Sequence, residues 1–164
     1  MDPVSFHLAT NHFIIVGVLF GLVILGFGMF KNIESLKFTG LIILVVVALV
    51  TIPVYLSGEN AEDKVEEIEG VSHDFIEEHE ELALMGLWVS ELTGILALIG
   101  LFMLRKKKPK ANSLCYSALA GAAVCFVIMV QIGSLGGKIR HSELRDPPTP
   151  TELEDHGNDY EDDD

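Results

Sequence analysis

Four apolar blocks, at residues 13–30, 38–56, 82–104 and 114–135, limit what this chain can fold into. Each is close to the ~20 residues that a helix rising ~1.5 Å per residue needs to cross a hydrocarbon layer of ~30 Å. With 49% hydrophobic residues and a mean hydropathy of +0.41, the 164 residues are too apolar for an ordinary water-soluble domain. The expected fold is an all-α integral membrane four-helix bundle, up-down-up-down. Its helices fall at 12–30, 37–56, 73–104 and 112–135, with an acidic loop at 57–81 and a membrane domain spanning 1–141.

Charge sets the expected orientation. The net charge is −13, and it is unevenly spread. Residues 31–37 carry +1 and residues 105–110 carry five cations, whereas residues 58–81 hold eleven acids against Lys64. From Lys138 onward there are ten acids and three cations. Short basic loops mark the cytoplasmic side, so the chain is expected N-out and C-out. Residues 1–12 contain no Lys or Arg, and the first apolar block outlasts a signal-peptide h-region, so the first helix is expected to be retained. Lys106, Lys107 and Lys108 read as a lipid-facing basic cluster, with no nucleic acid among the expected partners. The tail at 142–164 has too little apolar surface to pack and is expected to be disordered. Cys115 and Cys125 are too far apart on one helix for a disulfide and read as packing residues.

Histidines gather at the expected outer face. His12 stands where a polar leader meets the first apolar block, His73 and His79 precede the third, and His141 follows the fourth. His7 and His156 lie in the terminal segments and are assigned no role. Ser72 reads as an N-cap with Asp74 in the first turn of the third helix. His79, Ala83, Gly86, Ser90 and Gly94 then form a small-residue stripe that turns His79 inward. Ala61, Val65 and Ile68 space residues 59–69 as a short amphipathic helix lying on the membrane. Gly136-Gly137 would stop the fourth helix, leaving Lys138 and Arg140 just beyond it. Glu91 is the costly residue, since an ionised acid deep in hydrocarbon is unfavourable by ~2.5 to 3.5 kcal/mol. Two readings stand for it: it faces the interior and meets Gln131 or Thr93 as a functional group, or it is a protonated acid that packs between helices.

The order histidine, apolar helix, basic turn, apolar helix, glycine-containing exit occurs twice. Two such hairpins are related by an axis along the membrane normal, and they make His12 and His79 equivalent and opposed. The pattern from His7 to His12-Phe13, the histidine entering the third helix, and the ending Gly136-Gly137-Lys138 with Arg140-His141 resemble a family of small four-span bacterial membrane domains of unknown function. Members of that family commonly read His-Phe-Pro where this chain has His12-Phe13-Ile14. The resemblance covers residues 7–141. It implies a four-helix membrane fold and no established activity. The expected location is a bacterial inner (plasma) membrane, where the outward side of the acidic loop and tail would be the periplasm.

These residues allow three functional readings. The first is a b-type haem held between His12 and His79, with propionates paired to Lys138 or Arg140. That would make an electron-transfer protein or subunit whose acidic outer surface docks a basic periplasmic redox protein. The second is a zinc or copper site built from His12, His79 and His141, with Glu78 or Glu80 as extra ligands. The third is a non-catalytic structural subunit that joins other membrane subunits in the lipid bilayer. No nucleophile with its base, phosphate loop or dinucleotide fingerprint points to an enzyme acting on its own.

Overall fold

The computed structural model describes residues 3–66 and 73–140. They form four helices: α1 (Pro3–Lys31), α2 (Glu34–Glu66), α3 (His73–Arg105) and α4 (Ala111–Arg140), with no strand among the described residues. Each contains a stretch long and apolar enough to cross a membrane. The acidic tail at 142–164 and His141 lie outside the described residues.

Both hairpin turns have the same construction. At the end of α1, Asn32 takes a left-handed φ of 53°, Asn32 N donates to Met29 O and Ile33 N donates to Gly28 O. At the end of α3, Lys107 takes φ 50°, Lys107 N donates to Leu104 O and Lys108 N donates to Met103 O. This is the Schellman arrangement, which satisfies carbonyls that a helix end otherwise leaves without partners.

The four helices run antiparallel to their neighbours around a ring. α1 and α3 each pack on α2 and α4, and the two odd helices face each other across the diagonal. Glycines set how closely the axes approach. A Cβ built on Gly40 would lie 2.6 Å from Leu25 N, and one on Gly28 would lie 2.7 Å from Lys37 N. Gly17 and Gly21 receive Val47 and Leu44 of α2, Gly94 receives Ala48, and Gly121 receives Thr93. Along α1 the buried positions are Ile14, Val18, Gly21, Leu25 and Gly28. This alternation of four and three is the seam of helices packed at a shallow crossing angle.

The interior is made of small and medium side chains, with Leu25, Leu41, Ala97, Cys115, Ala118 and Ala122 fully buried. Large apolar side chains point outward instead, among them Phe13, Phe20, Phe27, Trp88 and Phe102. Helices apolar on their outer faces as well are suited to lipid, where outward-facing side chains need no protein cover.

Three expectations change. The short surface helix at 59–69 does not form separately: α2 continues through Pro53 to Glu66, and Ala61 is buried as part of that same helix. Gly136-Gly137 does not stop α4, which continues to Arg140, because Gly136 serves to admit a side chain of α3. α1 begins at Pro3 and not near residue 12, so the histidine leader is helical.

The close approach of α1 and α2 should be sensitive to one methyl group. Gly40→Ala places that methyl against backbone, which cannot swing aside, and is expected to destabilise the bundle by ~1–3 kcal/mol. At Gly26 the nearest atom is Leu119 Cδ1 at 3.6 Å, an ordinary contact, so Gly26→Ala should change stability by no more than ~1 kcal/mol. Unfolding by SDS titration in mixed micelles separates the two.

Candidate paired-histidine site

At the end of the bundle away from the hairpin turns, His7 of α1 and His79 of α3 meet across the diagonal. Their ring centroids are 6.4 Å apart and their planes are inclined at 76°. Each ring is tied to the helix that follows its own. His7 Nδ1 lies 3.1 Å from Val54 O of α2, and His79 Nδ1 lies 3.1 Å from Ile132 O of α4. A carbonyl can only accept, so both Nδ1 atoms donate. In the neutral rings this leaves Nε2 as the lone-pair nitrogen, the atom that a bound centre would use.

The packing around the two rings is equivalent. Gly58, four residues beyond Val54, lies beside His7: its Cβ would be 3.0 Å from the Cε1 atom. Gly136, four residues beyond Ile132, lies beside His79 with the corresponding distance 3.4 Å. Removing the side chain at both positions lets each imidazole lie flat enough on the neighbouring helix to reach a backbone carbonyl. Ser57 adds a contact on one side only, with its Oγ 3.3 Å from His7 Nδ1 and donating to Val54 O at 2.6 Å.

One turn further along α1, Asn11 Oδ1 is buried and has no hydrogen-bond partner. Beneath the pair the core closes with Ile14, Val18, Val54, Cys125 and Met129. On α3, Asp74, Glu77, Glu78 and Glu81 are exposed around the same end.

The histidine expected opposite His79 is therefore replaced. His12 is exposed on the outside of α1 and does not face His79. The reason is helical phase: five residues separate His7 from His12, a rotation of ~140° at ~100° per residue. The signal that finds His7 is the buried seam. Gly28, Gly21 and Ile14 step back by sevens to residue 7, as Gly100, Thr93 and Gly86 step back to His79.

Other expected site residues are dispersed. Among the described residues no three His, Cys, Asp or Glu side chains come together as a metal-binding group; of the expected His12, His79 and His141 cluster, His12 does not face His79 and His141 lies outside the described residues. Lys138 Nζ lies 5.5 Å from the centroid of Phe75, and Arg140 is the last residue of α4. Glu91 is half-buried and its Oε1 has no hydrogen-bond partner, while Gln131 is exposed and Thr93 donates to Val89 O. A polar bridge within the apolar part of the bundle is instead Thr51 Oγ1 to Ser90 Oγ, 3.2 Å, between α2 and α3. Cys115 and Cys125 are both free and buried.

Comparison with known protein families, characterised proteins and solved structures finds no match to this chain.

The tautomers are directly measurable. Long-range proton–nitrogen correlation spectra of the imidazoles should show the Nδ1–H form at His7 and His79. Gly58→Ala, which pushes a methyl into the His7 ring, should alter the His7 pattern and leave the Nδ1–H bond of His79 in place.

Proposed function

We propose that the chain is a membrane-embedded electron-transfer protein or subunit that binds b-type haem through His7 and His79. The observation that carries this reading is the pair of diagonal imidazoles, each held by an Nδ1–H bond to a backbone carbonyl with Nε2 left over. Metal–imidazole bonds are about 2 Å long, so two rings on opposite sides of one metal ion have centroids roughly 6 Å apart, close to the 6.4 Å between these two. A pair of imidazoles suits the axial positions of haem iron better than zinc, which takes three or four protein ligands.

In the orientation that the basic turns favour, the histidine end lies outside the cytoplasm, in a bacterium at the periplasmic face of the inner membrane. The exposed acids at the start of α3 then offer a docking surface to a basic redox partner. A second reading is favoured by the same hydrogen bonds. Each histidine joins two helices, so the pair would serve as a clasp in a structural subunit.

Haem-replete expression followed by a reduced-minus-oxidised spectrum decides between them. Haem bands are expected in the parent protein and in His12→Ala, and are expected to be lost in His7→Ala and His79→Ala. A colourless parent protein overturns the haem reading, and a large loss of thermal stability in His79→Ala would then identify the clasp.

A further inference from the structure

The opposite end of the bundle holds a second polar site, built around Lys37. Although it lies only three residues into α2, this lysine is 4% exposed. Its Nζ donates to Asn32 Oδ1 at 2.7 Å and to Asn112 Oδ1 at 3.1 Å. Both acceptors are neutral amides, and Lys37 forms no ion pair among the described residues. A buried ammonium with neutral partners keeps a full uncompensated charge and one donor to spare.

The Lys37 side chain lines an open cavity of about 510 Å³ between the two hairpin turns. Lys107 and Lys108 line it together with Lys37, Asn32 and Asn112, and Glu34 is the one acid in its wall. The volume falls in the range of small-ligand sites, ~300–1,000 Å³. α2 and α4 both begin here, at Glu34 and Ala111, so the positive ends of two helix dipoles add to three lysines. Asn32 and Lys107, the two left-handed residues of the matching turns, both line the cavity, so the shared turn geometry brings an amide and a cation to it.

We infer that this cavity binds a phosphate group, with Lys37 as the buried counter-charge and Lys107 and Lys108 closing over the anion from the second turn. The position, at the end of four membrane-spanning stretches, is where lipid phosphates lie, and a soluble phosphate would meet the same donors. The inference is independent of what the histidines hold.

The test uses the full chain in a maltoside detergent, which contributes no phosphate. Phosphatidylglycerol is titrated in one arm and inorganic phosphate in the other, with sodium chloride at matched ionic strength as the control. Native mass spectrometry and the thermal midpoint are the readouts. One saturable ligand per chain with a raised midpoint is expected, in the lipid arm alone for a headgroup site and in the inorganic arm as well for a soluble anion. Lys37→Met should abolish the effect. The double variant Lys107→Gln/Lys108→Gln should weaken binding at least ~10-fold, and it carries the test if Lys37→Met does not fold. Absence of saturable binding in both arms, an equal response to chloride, or undiminished affinity in the double variant overturns the assignment.

Discussion

Close backbone approach at small residues holds this bundle together. The outer faces of the helices are as apolar as the inner ones, so removal of apolar surface from water cannot decide which face turns in. Packing density decides it. Where Gly40 meets Leu25, Gly28 meets Lys37 N and Gly94 meets Ala48, the absent side chains let the helices approach, and dispersion contacts then accumulate along the whole length. Few side-chain hydrogen bonds are found inside, and several of them join helices: Thr51 to Ser90, Lys37 to Asn112, and each histidine to a carbonyl.

The same packing sets the height of the histidines. His7 lies three heptads before Gly28 and His79 three heptads before Gly100, and both glycines lie on the buried face of their helices. Identical turns then return α2 and α4 with Gly58 and Gly136 beside the rings. The two hairpins share little sequence, yet they repeat the elements that fix register: a turn, a seam and a glycine beside a histidine. A repeat at this level produces two equivalent imidazoles without requiring alignable residues between.

The four helices are legible in the sequence because apolar length is a local property, read from thirteen to thirty or from eighty-two to one hundred and four without knowing any partner. The inward orientation of His79 is legible for a related reason, since small residues mark its face for several turns. The partner of His79 is harder to read. His12 stands nearer the apolar boundary, but distance from a boundary says nothing about rotation around the helix, and only the seam through Ile14, Gly21 and Gly28 does. Gly136-Gly137 misleads because glycine frees a helix to end and equally frees it to receive a neighbour; the His79 ring, invisible in the local sequence, selects the second use. Lys37 is hidden by charge. As part of a basic turn it reads as solvated, whereas its spacing from Leu41 and Leu44 places it on the buried face of α2.

The hydrogen-bond inventory distinguishes the two ends of the molecule. A clasp between helices needs one nitrogen per histidine, and Nδ1 supplies it. Because both rings donate through Nδ1, neither neutral ring has a proton left to give the other, so two Nε2 lone pairs remain with Asn11 Oδ1 one turn below. Two imidazole lone pairs left without donors are the imbalance that the haem proposed for this pair would relieve. At the turns the imbalance is reversed: Lys37 has more donors and charge than its two amide acceptors can satisfy, and Lys107 and Lys108 add to the excess. The phosphate proposed for that end would relieve the excess, as the proposed iron would relieve the other. The largely apolar interior between them, crossed by the Thr51–Ser90 bridge, keeps the two demands separate.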